Sequence, residues 1–198
     1  ARIAQFTKNS VALEKAARIW VKYEPESNEP QTLLVGMLIQ QGKFSTALPF
    51  IDKALATDSH PILALLNSRA TKMSTADALA YLEILKQQSK ITPKSAELWL
   101  TRGIFERHLQ NNDAALTSFN NAIKHDPDAE AAFVQKADLL KDTGRFKEAL
   151  AVISQWLKKD PENKQLAILK IQTLYKANSP SAAVKHSQQL ISEHSSDN

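Results

Sequence analysis

The chain has 198 residues, of which 43% are apolar and 23% are charged, with only four glycines and no cysteine. This composition is typical of a helical chain rather than a sheet protein, and the lack of cysteine excludes disulfides, thiolate zinc sites and a cysteine nucleophile. The formal charge of +4 is small, and basic and acidic residues alternate along the chain, so the composition disfavours a nucleic-acid partner.

A marker residue, proline or serine, recurs at a constant interval of 34 residues along the chain. The markers are Pro25, Ser59, Pro93, Pro127, Pro161 and Ser195. A repeat of this length is typical of helical solenoids, in which each unit is a helix, a tight turn and a second helix. The spacing therefore predicts an all-α array of antiparallel helix pairs, which covers residues 1–198 as one domain.

The first unit, residues 1–27, is partial, because Ala1 already lies in the middle of the predicted first helix. A repeat array is expected to start with a complete unit or a polar cap. We therefore expect the chain to be a fragment of a longer protein. Its N-terminal end is a candidate for self-association, because an uncovered repeat face would expose apolar side chains. These residues are Ile3, Phe6, Trp20 and Val21.

Each following unit repeats the same apolar helix face. The units are residues 28–61, 62–95, 96–129, 130–163 and 164–198. In the unit 96–129, Ala115, Phe119 and Ala122 have the spacing of one side of a helix. Three units also have a turn-forming residue 17 positions before the marker, where a left-handed residue can end the first helix. These turn residues are Gly42, Gly144 and Asn178.

The unit at 62–95 is atypical, because it lacks the glycine turn and has the bulky Tyr81 where a small side chain is expected. We expect Ser74 or Thr75 to cap its second helix. A packed Tyr81 ring should change the angle between the flanking units.

Two segments carry a family resemblance, AELWLTRGIFERHLQNNDAALTSFNNAIKHDP and EAAFVQKADLLKDTGRFKEALAVISQWLKKDP. Both resemble tetratricopeptide repeats. The signature positions of that family hold Trp99, Gly103, Ala115, Phe119, Ala122 and Pro127 in the first segment. The resemblance implies a right-handed superhelical solenoid of about five and a half repeats. Arg102 and Lys136 depart from the pattern, since the family usually has leucine at both positions.

Three N-terminal segments carry a narrower resemblance: ARIAQFTKNSVALEKAARIWVKYEP, LLVGMLIQQGKFSTALPFIDKAL and TADALAYLEILKQQSK. They are similar to repeats of periplasmic, lipid-anchored tetratricopeptide adaptors of C-terminal processing proteases in Gram-negative bacteria. The resemblance implies a role in recruiting substrates to a protease, in the periplasm or at the outer membrane, with a cytoplasmic location as the alternative. No stretch approaches the roughly 20 apolar residues that span a bilayer, so direct membrane insertion is not expected.

The sequence predicts no catalytic, cofactor or metal site. It has no glycine-rich phosphate loop, no HExxH and no GxSxG. The five histidines are scattered, and only two of them share a predicted helix. They are His60, His108, His125, His186 and His194. Asp138 and Asp142 lie one turn apart, a spacing that is far commoner as surface charge than as a cation site.

The first helix of each tetratricopeptide unit lines a concave groove, and the resemblance therefore places a protein or peptide partner there. The predicted groove residues are Leu33, Ile39, Gln40, Leu66, Asn67, Leu100, Thr101, Ile104, Arg107, His108, Val134, Gln135, Asp138, Lys141, Ile168, Gln172 and Tyr175. An apolar strip with polar neighbours suits a helix or an extended peptide. The alternative for each apolar residue is packing against the neighbouring helix.

The groove also argues against one class of ligand. Chaperone-binding members of the family clamp a terminal carboxylate with Lys and Asn, and here only Asn67 matches. The sequence thus predicts a non-enzymatic scaffold or adaptor that binds a protein. The alternative is a regulatory or targeting module of a larger enzyme or of an envelope assembly complex.

Overall fold

The computed structural model describes residues 10–56 and 59–194, and every regular element in these two ranges is helical. The predicted all-α fold of antiparallel helix neighbours is confirmed. Within the described ranges, no helix is long and apolar enough to cross a membrane. Internal contacts divide the chain into two compact units, Ala1–Asn111 (unit 1) and Asn112–Asn198 (unit 2). The prediction of a single array stays a prediction.

Unit 1 holds seven α-helical segments in its described part. They are α1 (Ser10–Tyr23), α2 (Asn28–Gln40), α3 (Phe44–Ala47), α4 (Ile51–Leu55), α5 (His60–Arg69), α6 (Thr75–Ile91) and α7 (Ala96–His108). Helix α2 packs against α1, α4 and α5, and α7 packs against α5 and α6. Of the N-terminal residues predicted to be uncovered, Trp20 and Val21 are partly buried, and Ile3 and Phe6 lie outside the described residues. Self-association stays a prediction.

The second helix of the unit 28–61 is broken, which the sequence analysis did not predict. A 3-10 turn, Leu48–Phe50, separates α3 from α4 and contains Pro49. Proline has no backbone N–H and its ring clashes with the preceding turn, so it interrupts the helical hydrogen bonds.

Unit 2 holds five α-helices in its described part. They are α8 (Asn112–His125), α9 (Glu130–Asp142), α10 (Phe146–Leu157), α11 (Lys164–Lys176) and α12 (Pro180–His194). Each of them packs against the next one in the chain. The predicted apolar face is confirmed here, because Ala115, Phe119, Ala149 and Ile153 are fully buried.

The predicted turn residues adopt the left-handed conformation. Gly42 has φ 75°, Gly144 φ 76° and Asn178 φ 55°. A fourth residue that was not predicted, Gln110 with φ 62°, adopts the same conformation at the same place in its repeat. In each turn the next N–H donates to the carbonyl five residues back, as Lys43 does to Leu38 at 2.8 Å. This bond ends the first helix and starts the second at a constant position.

The atypical unit is organised around a buried aromatic ring. Tyr81 is fully buried, and its hydroxyl donates to the Phe44 carbonyl at 3.1 Å. Its ring lies 6.1 Å from that of Phe105, measured between centroids. Ser74 caps α6, since its Oγ accepts the N–H of Asp77 at 3.1 Å. The predicted cap and the packed Tyr81 ring are therefore both observed.

Candidate functional site

The predicted groove residues of unit 1 lie on α2, α5 and α7, and most of them keep some solvent contact. Gln40 is exposed, and the partly buried ones are Leu33, Asn67, Leu100, Ile104, Arg107 and His108. One atom among them lacks a partner. The Oδ1 atom of Asn67 is buried and accepts no hydrogen bond from any described residue. Such an atom can accept a hydrogen bond from a ligand.

Three predicted groove residues of unit 1 are corrected by the structure. Ile39, Leu66 and Thr101 are fully buried, so they belong to the core and not to an accessible surface. Ile39 and Leu66 form part of the contiguous apolar core of this unit. The Thr101 hydroxyl is satisfied within its own helix, where it donates to the Glu97 carbonyl at 3.0 Å.

Two predicted groove residues of unit 2, Asp138 and Lys141, belong to a group of charges near the ends of α9 and α11. The Lys141 ammonium lies 2.6 Å from Asp138 and 3.7 Å from Asp142. Lys176 lies 3.6 Å from Asp142. Asp138 and Asp142 therefore form ion pairs with lysines, as acidic residues on protein surfaces commonly do. Within the described residues, no three His, Asp or Glu side chains come together as a metal site would require.

A cleft of about 430 Å³ lies between α9, α11 and α12. We call it the α11–α12 cleft, and it is lined by Lys141, Ile171, Gln172, Tyr175, Lys176, Ala183, Val184 and Ser187. Three of these, Lys141, Gln172 and Tyr175, are predicted groove residues. The remaining predicted residues of unit 2 do not line it. They are Ile168, which is exposed, and Val134, Gln135 and Asp138, which are partly buried.

Two apolar side chains of the cleft are exposed to solvent, Tyr175 at 70% and Val184 at 54%. Elsewhere on α11 and α12, Ile168 is 47% exposed and Ile191 67%. Exposed apolar side chains that are grouped around a cleft mark a site for a ligand or a protein partner.

The residues contributed by α12 were missed by sequence reasoning, because the predicted groove used only the first helix of each unit and α12 is a second helix. Val184 and Ile191 stand 34 residues after Leu150 and Leu157 on α10, which are partly buried. The same positions in α8 hold Leu116, which is buried, and Ile123, which is partly buried. An apolar pair that is covered in the earlier helices is thus exposed on α12.

Two lysines of α11 and α12 bring positive charge close to His186, which does not line the α11–α12 cleft. The pKa of His186 on α12 is lowered, first by burial and then by the charges of Lys170 and Lys185. These lysines come from α11 and α12, so two neighbouring helices bring positive charge to the same region. Helix α11 itself contains three lysines and no acidic residue.

Comparison with known proteins supports the repeat assignment for part of the chain. Residues 106–172 match the family model described as tetratricopeptide repeat. No curated protein sequence shows significant similarity to the chain.

Solved structures share the fold. The chain is similar to the MamA protein, with 16% identity and a TM-score of 0.67, over 86% of this chain and 93% of that one. A tetratricopeptide repeat protein from Parabacteroides merdae has 18% identity and a TM-score of 0.66, over 97% and 76%. YrrB, described as a TPR protein with an unusual peptide-binding site, has 18% identity and a TM-score of 0.60, over 90% and 92%.

Proposed function

We propose that this chain is a non-enzymatic protein-binding module, in which unit 2 receives a peptide or an amphipathic helix of a partner in the α11–α12 cleft. One observation carries the proposal. Residues that the family resemblance implies to face a ligand, Gln172 and Tyr175 among them, line one cleft together with the exposed Val184. The cleft volume of about 430 Å³ falls in the range of ligand sites, roughly 300 to 1,000 Å³.

The apolar side chains would supply most of the affinity. Tyr175 presents a large ring with a polar tip, a side-chain type that is enriched among the residues that dominate binding energy at interfaces. Full burial of an exposed apolar side chain contributes about 1.5 to 3 kcal/mol, and a half-exposed one such as Val184 contributes less. The two lysines that line the cleft, Lys141 and Lys176, are already paired with aspartates. Attraction of acidic residues on the partner would therefore come from Lys170 and Lys185, on the same two helices.

YrrB supports the proposal as a protein of the same fold with a peptide-binding site. A role as an adaptor that recruits substrates to a C-terminal processing protease stays a prediction from the sequence resemblance, as does a periplasmic location. The alternative, a regulatory or targeting module of a larger enzyme, uses the same binding surface. The full-length reading frame distinguishes the two, since a lipoprotein leader supports the adaptor and a domain with catalytic motifs supports the module.

The test uses two double variants that are matched in exposure. Tyr175→Ser with Val184→Ser removes the two anchors of the cleft, which are 70% and 54% exposed. Ile91→Ser with Leu79→Ser makes an equivalent change on α6, where the side chains are 71% and 53% exposed. Peptides selected by display against the wild-type protein serve as ligands, and their affinities are measured by fluorescence anisotropy.

We expect the cleft variant to weaken binding by at least about 1 to 2 kcal/mol, as the loss of interface anchors does. The α6 variant should bind like the wild type, and both should keep wild-type helicity by circular dichroism. Equal affinity of the cleft variant and the wild type would show that the proposed site is wrong.

A further inference from the structure

Arg102 and Lys136 are basic residues at equivalent positions of consecutive repeats, where the sequence pattern expects leucine. In α7 the charge of Arg102 is compensated inside the helix. Its Nε donates to the Glu106 carboxylate at 2.8 Å, and the Glu106 side chain is only 2% exposed. The guanidinium also lies 4.9 Å from the centre of the Trp99 ring.

Lys136 on α9 has no such partner. The residue four positions after it, equivalent to Glu106, is Leu140. Lys136 is partly buried and burial lowers its pKa, while Glu148 acts in the opposite direction and Arg145 in the same direction. Both oxygens of Glu148 already accept hydrogen bonds from Arg145, at 2.7 Å each. Among the described residues, none forms an ion pair or a hydrogen bond with the Lys136 side chain.

Lys136 lines a cleft of about 360 Å³ between α8, α9 and α10. We call it the Lys136 cleft, and its other residues are Leu116, Asn120, Leu140, Arg145, Glu148, Ala151, Val152 and Gln155. Leu116, Leu140 and Val152 are nearly buried and form an apolar floor. The amides of Asn120 and Gln155 add hydrogen-bonding groups. The Lys136 cleft shares no residue with the α11–α12 cleft.

We propose that the Lys136 cleft binds a carboxylate that is carried beside an aliphatic group, with the Lys136 ammonium as its ion-pair partner. The ligand carboxylate forms an ion pair with Lys136, as Glu106 does with Arg102. The aliphatic group of the ligand packs on the apolar floor of the cleft. A cation that is partly desolvated and lacks a hydrogen-bonded anion gains most from such a ligand. Glu148, which also lines the cleft, repels a dianion such as phosphate about twice as strongly as a carboxylate with a single negative charge.

This chemistry has two sources, a small free acid or the C-terminal residue of a peptide. Four probes separate them: N-acetyl-leucine and N-acetyl-leucinamide, and acetyl-Ala-Ala-Leu as the free acid and as the amide. Each is titrated into the whole chain, and binding is followed by two-dimensional amide NMR. Lys136→Met keeps the length of the side chain and removes its charge. Lys147→Met is the matched control, since Lys147 is an exposed lysine on α10 that does not line the cleft.

We expect the free acids to shift amide signals of α8, α9 and α10 around the Lys136 cleft, and the amides to bind at least about tenfold more weakly, the size of one charge-assisted hydrogen bond. Lys136→Met should bind the free acids about tenfold more weakly than the wild type does, and Lys147→Met should bind them like the wild type. Tighter binding of the peptide acid than of N-acetyl-leucine assigns the site to a peptide terminus, and equal binding assigns it to a small acid. No binding of either acid, or equal binding of acid and amide, overturns the proposal.

Discussion

At the scale of single residues, Gln110 shows how one side chain can conflict with its backbone. It holds the left-handed conformation, φ 62°, at the repeat position that Gly42 and Gly144 occupy with φ 75° and 76°. A side chain in this conformation costs roughly 1 to 2 kcal/mol, because Cβ approaches the following carbonyl. The repeat requires this turn, so Gln110 adopts the left-handed conformation despite its energetic cost.

We expect Gln110→Gly to raise the free energy of unfolding by about 0.5 to 1 kcal/mol. The change removes the backbone strain, which stabilises the folded state. Part of this stabilisation is lost, because glycine increases the entropy of the unfolded chain. Gln41→Gly is the control, since Gln41 caps the C-terminal end of α2 with φ −79°, and glycine should lower stability there. Urea unfolding of both variants measures the two effects, and a loss of stability in Gln110→Gly would contradict the strain argument.

Tyr81 links stability to alkaline pH. Burial raises the pKa of its phenol, and the charge of Asp77 raises it further. Since the folded pKa is raised, the unfolded chain releases this proton first, at its usual pKa of about 10. The stability that the neutral phenol contributes is therefore present below about pH 10 and is lost as the pH rises above that value.

We expect the wild type to lose up to about 1.4 kcal/mol per pH unit above about pH 10, relative to Tyr81→Phe. At neutral pH the variant should be less stable by about 0.5 to 1.5 kcal/mol, because it lacks the hydrogen bond to the Phe44 carbonyl. Urea unfolding between about pH 8 and pH 11 measures both differences. Tyr23→Phe, at a side chain that is 80% exposed, is the control. A constant difference between wild type and Tyr81→Phe would show that the phenol does not titrate on unfolding.

At the scale of helices, the sequence predicted those features that depend on local chemistry. The turn at Gly144, the cap at Ser74 and the buried face at Phe119 and Ile153 each follow from residue type and helical spacing. The break at Pro49 was equally local, and the signal was present in the sequence, since an internal proline interrupts a helix.

The accessible surface was predicted less well, because it depends on contacts between helices. Ile39 and Leu66 lie on first helices at positions taken to face a partner, yet neighbouring helices cover both side chains. Val184 was not predicted as a site residue, because the groove prediction used only first helices and α12 is a second helix, on which Val184 is exposed. A repeat register predicts the same solvent exposure for all equivalent positions. The actual exposure also depends on which helices pack against each position.

At the scale of the whole chain, charge and apolar surface should have separable effects on binding. The formal charge is only +4, but α11 contributes three lysines without an acid, and Lys170 and Lys185 both act on His186. Local positive charge accelerates the approach of an acidic partner, and buried anchors slow its release.

For a peptide bound in the α11–α12 cleft, we therefore expect two kinds of variant to separate kinetically. Lys170→Gln with Lys185→Gln should lower the association rate constant a few-fold and weaken its dependence on salt between about 50 and 300 mM, because screening already removes long-range attraction at high salt. Tyr175→Ser with Val184→Ser should mainly raise the dissociation rate constant, since anchors that are lost no longer hold the complex. Lys147→Gln, an exposed lysine on α10, is the charge control. Surface plasmon resonance measures both constants, and a lysine variant that changes only dissociation would show that these charges contact the bound peptide instead of steering it.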